Sequence, residues 1–267
     1  MRFRIKLAFL FLILIQCLST ERALSQGNRF ASGEKLTYAV YYYLMGVWVP
    51  AGEVSFSVRD TLYKGKDCFR FQGSGKTHKR YDWFYKVRDV YQAISDKDDL
   101  KPYLFKRNVN EGDFYFYEDC LFDHKHESIY SVSKVKQEPV VVDTSELMVN
   151  SFDVLTMIYY ARNLDFSKYQ IDQKIPIRMF IDGETFDLYI RYNGVENYDH
   201  DQLGEIECYT FSPLLVKGTL FKEGERMKVY VTKDSNQIPV YVDSEIRVGS
   251  IRAQLTDFEG LSKSFGE

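Results

Sequence analysis

Residues 36–58 read LTYAVYYYLMGVWVPAGEVSFSV and contain two runs with apolar residues at every second position. The shared apolar face consists of Leu36, Tyr38, Val40, Tyr42 and Leu44 in the first run and Val54, Phe56 and Val58 in the second. Alternation with a period of two is typical of a β-strand that buries one face. The stretch therefore predicts two antiparallel strands joined by an apolar loop from Met45 to Pro50, with Trp48 at its tip or rim.

The same alternation recurs along the chain, for example at residues 186–192 and 227–232. Turn-forming sequences separate such runs at 110–113 (NEGD), 182–183 (DG) and 234–237 (DSNQ). Roughly a dozen strands follow, more than a sheet usually holds without curling or closing. We expect an all-β fold, either a strongly curved antiparallel sheet or a partly open β-barrel.

One segment, residues 151–163, departs from this rhythm. Ser151 is a suitable helix N-cap, Asp153 favours the first turn, and Asn163 is a reasonable end. Between them, apolar residues follow at helical spacing. The segment predicts one main helix packed across the sheet, and residues 80–86 (RYDWFYK) predict a further short helical turn.

The N-terminal 25 residues have the pattern of a signal peptide. Basic residues precede an apolar run at residues 7–15, and Ala23-Leu24-Ser25 predicts cleavage before Gln26. The run is far shorter than the ~20 residues that span a bilayer, so an uncleaved anchor is the weaker alternative, as is lipid attachment at Cys17. Without linkers or repeats, residues 26–267 are expected to form a single β-rich domain with no transmembrane span, exported to the periplasm or the envelope.

Charge and cysteine content narrow the classes of partner. The chain has a formal net charge of −3 and lacks a cluster of Lys and Arg, which argues against nucleic acid. Cys68, Cys120 and Cys208 remain after signal cleavage. In an oxidising compartment an odd number leaves at least one free thiol or an intermolecular link. One disulfide and three separately buried cysteines are both compatible with the sequence.

Four motifs in order resemble a family of exported bacterial proteins catalogued as domain of unknown function 3108. They are GEKLTY at 33–38 with AG at 51–52, FYKVRD at 84–89, SFD at 151–153 through YYAR at 159–162, and DSNQIPV at 234–240 followed by VGSIRAQL at 248–255. The resemblance covers residues 32–258 approximately. It implies an exported, mostly β protein and brings no established reaction.

The last of these motifs has a physical interpretation as a hairpin. Asn236 tolerates left-handed backbone at the tip, and Pro239 predicts an edge strand or pairing on one side only, because it has no N–H to donate. Gly249 allows a bulge or a close backbone approach. We interpret these residues, and Asp234, as architectural.

Few residues carry the pattern of a catalytic site. His124 and His126 in DHKHE (123–127) face the same side of a strand and are a candidate pair of ligands for zinc or copper, but Lys125 and the flanking acidic residues favour a solvated turn instead. The sequence lacks a Gly-x-Ser-x-Gly elbow and a Walker motif. We therefore assign no catalytic residue, no metal and no cofactor.

Aromatic residues make up 16% of the chain and occur on both faces of the predicted strands. Those off the core face or in connections are the candidate ligand-binding residues: Tyr41, Tyr43, Trp48, Trp83, Tyr115, Tyr117 and Tyr189. Either the helix covers them or they line a groove for an amphiphile or a glycan. The leading hypothesis is a non-enzymatic protein that binds a lipid or glycolipid of the envelope. The alternatives are an interaction or scaffolding protein with an envelope protein partner and, third, a metal-dependent hydrolase that uses His124 and His126.

Overall fold

The computed structural model describes residues 27–44, 46–83, 85–215, 224–246 and 249–267. The predicted signal peptide lies outside the described residues. Within them, no helix is both long enough and apolar enough to cross a membrane.

Fifteen strands of the described residues form one sheet. The first eight are β1 (Lys35–Leu44), β2 (Val47–Tyr63), β3 (Lys66–Thr77), β4 (Arg88–Asp96), β5 (Pro102–Glu111), β6 (Phe114–Asp123), β7 (Ser128–Val135) and β8 (Val141–Glu146). The other seven are β9 (Ser151–Phe152), β10 (Lys174–Ile181), β11 (Glu184–His200), β12 (Gly204–Pro213), β13 (Met227–Thr232), β14 (Pro239–Glu245) and β15 (Ser250–Glu259). Helix α1 (Val154–Arg162) follows β9, and two 3-10 helices span Lys79–Tyr81 and Phe166–Lys168.

The first and last strands of the chain, β1 and β15, lie next to each other in the middle of the sheet. Its order is β8-β7-β6-β5-β4-β3-β2-β1-β15-β14-β13-β12-β11-β10-β9. All neighbours are antiparallel except β9 and β10, which are parallel. The chain therefore runs from the central strand β1 out to the edge strand β8, crosses to the other edge, and returns to pair β15 with β1. The predicted all-β antiparallel fold with one main helix is confirmed.

Helix α1 fills the inside of the curved sheet. It packs on β3 and β4 of one half and on β9 and β10 at the far edge of the other. The ring of Tyr159 stacks on Phe71 with centroids 4.0 Å apart, and Phe30 packs edge-on to Tyr159 at 4.9 Å. Phe122 of β6 reaches Phe180 of β10 at 6.0 Å, so the two edges curl toward each other. Packed rings therefore occupy the space inside the curve around α1.

The start of the helix differs from the prediction. Asp153, not Ser151, is the N-cap, and its Oδ1 accepts hydrogen bonds from the N–H groups of Leu155 at 2.9 Å and Thr156 at 3.0 Å. Ser151 and Phe152 instead pair with Arg178 and Met179 as β9. Two acceptable caps lie close together in the sequence, and strand pairing to β10 decides which one is used.

A buried ion pair connects the end of α1 to both halves of the sheet. The Arg162 guanidinium donates to both carboxylate oxygens of Glu34, at 2.5 and 2.9 Å, and to the carbonyl oxygens of Asn236 and Gln237. Both charged side chains are almost fully buried. Because a buried charge is stable only when it is paired and hydrogen-bonded, this contact fixes α1 against the β13–β14 turn.

The residues of the β13–β14 turn hold the fold together, as predicted, but the roles of Asn236 and Gln237 differ from the prediction. Gln237, with φ of 45°, adopts the left-handed backbone expected of Asn236. The Asn236 amide instead donates to the carbonyl oxygens of Lys263 and Ser264, holding the C-terminal segment. Pro239 begins the interior strand β14 and pairs only with β13, so the expectation of one-sided pairing is correct and that of an edge strand is wrong.

The connection between β1 and β2 is also shorter than predicted. Only Met45 and Gly46 separate the strands, so Trp48 lies within β2, directly opposite Tyr43. Gly249 lies beside this hairpin with φ of 82°, and a Cβ there would lie 2.6 Å from the Tyr43 carbonyl oxygen. The close backbone approach predicted at Gly249 is confirmed.

The three cysteines lie separately in the core. Cys68, Cys120 and Cys208 are buried and unpaired. Burial raises the pKa of the Cys208 thiol to about 12, so this sulfur stays protonated and inert near neutral pH.

Candidate binding surface

Several connections meet at one end of the sheet. The β1–β2 turn, the segment between β3 and β4, and the β14–β15 turn all lie there, because antiparallel neighbours turn at the same end. The His78 N–H donates to the carbonyl oxygen of Ala51 at 3.0 Å, and the Arg80 guanidinium reaches that of Pro50 at 3.5 Å. The segment after β3 therefore lies against the start of β2.

This end exposes several large apolar side chains. Exposed fractions are 39% for Tyr43, 62% for Val47, 84% for Trp83 and 47% for Tyr85. We call these four residues, together with Trp48, the aromatic rim. Both tryptophans of the chain belong to it. Burying a side chain as large as Trp83 in an apolar medium would contribute about 4 kcal/mol.

The part of the rim on β1 and β2 is held by an arginine from β15. The rings of Tyr43 and Trp48 lie 5.0 Å apart, and the Arg252 guanidinium lies 3.9 Å from the centre of the Trp48 ring. Arg252 also donates to Asp243 at 2.7 Å. The cation–π contact and the ion pair fix the orientation of Trp48, so the rim is preorganised here.

The part of the rim between β3 and β4 is braced by an ion pair. The Arg88 guanidinium donates to Asp82 at 2.6 Å and to the Thr77 carbonyl oxygen at 3.2 Å. The Thr77 hydroxyl donates to the other Asp82 oxygen at 3.0 Å. These contacts connect the two ends of the segment that carries Trp83. The Trp83 side chain is therefore exposed on a loop whose ends are held by hydrogen bonds.

Three exposed cations lie on the segment that carries Trp83 and Tyr85. Lys79, Arg80 and Lys86 are all exposed, and within the described part of the chain none of the three forms an ion pair. A shallow recess of about 350 Å³, lined by His78 and Arg80, opens at the same end. Exposed apolar side chains beside unpaired cations are the features that an anionic amphiphile would contact.

A partly buried carboxyl group lies just behind the rim. Asp89 accepts a hydrogen bond from the Asn110 N–H at 2.8 Å. Burial, with a smaller contribution from Glu111, raises the pKa of Asp89 to about 7. Glu111 in turn accepts from the Tyr85 hydroxyl at 3.3 Å, so the Asp89 carboxyl that changes charge near neutral pH lies close to a ring of the rim.

The seven aromatic residues predicted from the sequence do not form one site. Tyr43 and Trp48 lie in contact, Trp83 lies on the neighbouring segment, and half-buried Tyr41 lies opposite Pro50 and Arg252 in the sheet. Helix α1 packs on β3, β4, β9 and β10. Tyr41 and Tyr43 instead share their face with Arg252 and Ser250 of β15.

The other three predicted tyrosines lie elsewhere. Tyr115 and Tyr117 are half-buried on β6, and a hydrogen bond with Asp119 raises the pKa of Tyr117 to about 12. Tyr189 of β11 donates to Glu225 at 2.5 Å, and the Lys174 ammonium lies 4.2 Å from its ring centre. Polar partners thus engage Tyr117 and Tyr189 away from the rim.

The candidate metal ligands do not converge. His124 Nε2 lies 2.7 Å from the Pro102 carbonyl oxygen, while His126 Nδ1 lies 2.7 Å from Asp123. Within the described ranges, no group of three or more His, Cys, Asp or Glu residues has the arrangement of a metal site. The hydrolase alternative gains no third ligand from these residues.

Sequence reasoning missed several residues of this surface. Val47 was expected in a loop, and Arg80, Tyr85 and Arg252 were not considered for it. Arg252 reaches Trp48 only because β15 pairs with β1, a contact between opposite ends of the chain. The strongest local signal was RYDWFYK at 80–86, in which aromatic and basic residues are mixed.

One protein family matches nearly the whole chain that follows the predicted signal peptide. The sequence profile of the family described as a protein of unknown function (DUF3108) matches residues 37–256. The chain belongs to the DUF3108 family. The resemblance found in its four motifs is thereby confirmed. A comparison with curated proteins finds no match.

Comparison with solved structures places this DUF3108 protein among barrel-like folds. The crystal structure of a beta-barrel-like protein of the domain of unknown function DUF1849 from Brucella abortus is similar, with a TM-score of 0.53 and 8% sequence identity. The similarity covers 87% of this chain and 98% of that one. A hypothetical protein from Chlamydia trachomatis gives a TM-score of 0.34 at 8% identity, over 88% and 90% of the two chains. The first similarity concerns the fold alone.

Proposed function

We propose that this DUF3108 protein is an exported, non-enzymatic protein of the periplasm or envelope, and that it binds an amphiphile of the lipid or glycolipid class at the aromatic rim. One observation carries the proposal: Trp83 is 84% exposed on a braced loop at the end of the sheet that also exposes Val47, and the same segment carries three exposed cations that form no ion pair among the described residues. Contiguous exposed apolar surface usually marks an interaction site.

The packed interior favours a ligand on the outside of the sheet. Stacked rings of Phe71 and Tyr159 lie where a carrier of the lipocalin kind holds its ligand. Tryptophan and tyrosine side chains prefer the boundary between apolar and aqueous phases. Lys79, Arg80 and Lys86 would meet anionic head groups while Val47 and Trp83 enter the apolar layer.

The test uses vesicles and the two tryptophans as probes. We expect the protein to sediment with vesicles of phosphatidylcholine and phosphatidylglycerol, and its tryptophan emission to shift to shorter wavelength. Binding should weaken with added salt, because exposed charges are screened. Trp83→Ser should weaken binding by about tenfold or more, given the apolar area that it removes.

A matched control separates the rim from general stickiness. Leu62→Ser removes a side chain that is 71% exposed at the opposite end of β2, and it should leave vesicle binding unchanged. Equal losses for Trp83→Ser and Leu62→Ser, or sedimentation of the wild-type protein no greater than without vesicles, would contradict the proposal.

A specific observation favours the second candidate function, interaction with an envelope protein. β8 is an edge strand that pairs only with β7, and it begins in a run whose exposed fractions are 55% for Val140, 58% for Val141 and 73% for Val142. Exposed apolar edge strands accept a further strand from a partner. The test is co-purification of an envelope protein with this protein from its native compartment. If Val142→Lys abolishes that co-purification while Trp83→Ser does not, the interaction function is favoured.

A further inference from the structure

A second recess lies at the end of the sheet opposite the aromatic rim. It has a volume of about 210 Å³ and opens between the β2–β3 turn, the start of β5 and the β6–β7 turn. It is lined by Tyr63, Lys64, Lys66, Tyr103, His124 and Lys125, with three residues at the end of β6. The 17 residues of β2 separate it from the rim by ~50 Å of strand.

Two tyrosines form an aromatic wall. The rings of Tyr63 and Tyr103 stack at 5.5 Å with an interplanar angle of 26°, and His124 packs edge-on to Tyr103 at 5.8 Å. The Tyr103 hydroxyl donates to Asp96 at 2.9 Å and accepts from the Lys66 ammonium at 3.1 Å. This chain of hydrogen bonds fixes the ring and places the Lys66 charge at the recess.

The recess carries more positive charge than its acidic residue neutralises. Among the described residues, the ammonium groups of Lys64 and Lys125 form no ion pair, and that of Lys66 is bonded to the Tyr103 hydroxyl. Asp123, the one carboxylate of the lining, accepts hydrogen bonds from His126 Nδ1 and from two backbone N–H groups of its own turn. The Lys64 and Lys66 ammonium groups also lie 5.2 and 5.5 Å from the ring centres of Tyr63 and Tyr103, so the aromatic wall itself holds two of the three positive charges at the recess.

The His124 ring adds a further polar group. A carbonyl oxygen only accepts, so the contact between His124 Nε2 and Pro102 places the proton on Nε2. Nδ1 is then available to accept from a ligand hydroxyl. Exposed cations, an aromatic face and an acceptor are the groups that recognise a small polar anion with a C–H face.

We propose that this recess binds an anionic monosaccharide, a sugar that carries a carboxylate or a phosphate. The volume is below the range of about 300–1,000 Å³ typical of drug-sized ligands, which fits a single sugar ring. Lys64, Lys66 and Lys125 hold the anionic group, and the tyrosine pair packs against the ring. The inference goes beyond the amphiphile proposed for the rim and is independent of it.

Calorimetric titration of the purified protein provides the test, with glucuronate and glucose 6-phosphate as probes. We expect both to bind, and unsubstituted glucose and inorganic phosphate to bind about tenfold more weakly or worse. Phosphate that binds as tightly as the sugar phosphate would reduce the recess to a simple anion site and overturn the proposal. Absence of binding by either anionic sugar would also overturn it.

Substitutions locate the binding within the recess. Lys64→Asn removes a charge and introduces a residue that tolerates the positive φ of 50° at this turn. Lys125→Gln removes an exposed charge. Each should weaken binding of the anionic sugars by about tenfold, as expected for one charge-assisted contact, while Lys134→Gln on β7 should not. Wild-type affinity in both recess variants would overturn the assignment.

The source of the sugar is distinguished by presenting it on a lipid. Vesicles of phosphatidylcholine containing a glucuronosyl lipid are compared with free glucuronate, using Trp83→Ser protein to suppress binding through the rim. Tighter binding to these vesicles would identify a lipid-borne sugar, and equal or tighter binding of the free sugar a soluble one. Because Trp83→Ser retains the recess, failure at the rim and failure at the recess give different results.

Discussion

At the scale of single residues, one side chain behind the rim makes stability depend on pH. The folded-state pKa of Asp89 is about 7, against an ordinary value of 3.8. Between these values the folded protein binds more protons than the unfolded chain. Asp89 therefore lowers stability progressively as pH rises from about 4 to about 7.

The variant Asp89→Asn should remove this dependence. The amide oxygen can still accept from the Asn110 N–H, while the titrating proton is gone. We expect the unfolding midpoint of the variant to fall less steeply than that of the wild type between pH 4 and pH 7 approximately. Parallel slopes for the two proteins would contradict the assignment. Asp113→Asn, at an exposed turn, is the matched control.

The sequence predicted the face of some residues but not their partners. The alternation of residues 36–58 placed Tyr43 opposite the core stripe, because side-chain direction in a strand depends on local period alone. It did not reveal that Arg252 covers Trp48, since that contact depends on pairing between β1 and β15. Local rules likewise assigned left-handed backbone to Asn236, whereas its amide is used by the C-terminal segment.

At the scale of elements, helix α1 depends on its N-cap. Asp153 is fully buried, and its carboxylate accepts from two backbone N–H groups and from the Thr156 hydroxyl at 2.6 Å. Asp153→Ala leaves these donors buried without a partner. We expect a loss of about 2 kcal/mol in the free energy of unfolding, measured by urea denaturation.

The same substitution at a second cap is the control. Asp165 accepts from the Ser167 N–H at the start of a three-residue 3-10 helix, where the surroundings are exposed. Asp165→Ala should cost less than half as much as Asp153→Ala. Asp153→Asn, which keeps an acceptor, should lie between them. Similar losses at both caps would show that burial of α1 is not what makes its cap important.

Elements were predictable where period and caps agreed. The turns at 110–113, 182–183 and 234–237 all join strands as expected. The N-cap of the helix lies two residues later than predicted, because Ser151 and Phe152 pair with β10, a tertiary choice that no local pattern encodes. The recess among three hairpin ends was also beyond local reasoning, since curvature of the sheet brings Tyr63 to Tyr103.

At the scale of the whole molecule, the Glu34–Arg162 pair joins the start of the described chain, the helix and the β13–β14 turn. Glu34→Gln would leave a guanidinium buried without its counter-ion. We expect a loss of about 3–5 kcal/mol in the free energy of unfolding, measured in urea. Glu259→Gln, at the exposed pair with Lys35, should cost less than about 1 kcal/mol.

A double variant tests whether the loss at Glu34 arises from the uncompensated charge. Glu34→Gln combined with Arg162→Met removes both charges and should destabilise by less than the sum of the two single changes. Strict additivity would show that the pair does not act as a unit.

The position of β1 beside β15 has a consequence for how the chain reaches its fold. Lys35 and Glu259 meet across the centre of the sheet although 224 positions separate them in sequence. The hairpins on each side close over short distances, whereas this central pairing closes a loop of nearly the full chain and bears its entropy cost. Both β1 and β15 must therefore be free to fold before the two flanks can join. Until then each flank exposes a β1 or β15 edge, and we expect folding to be fastest if both flanks form first and dock as units.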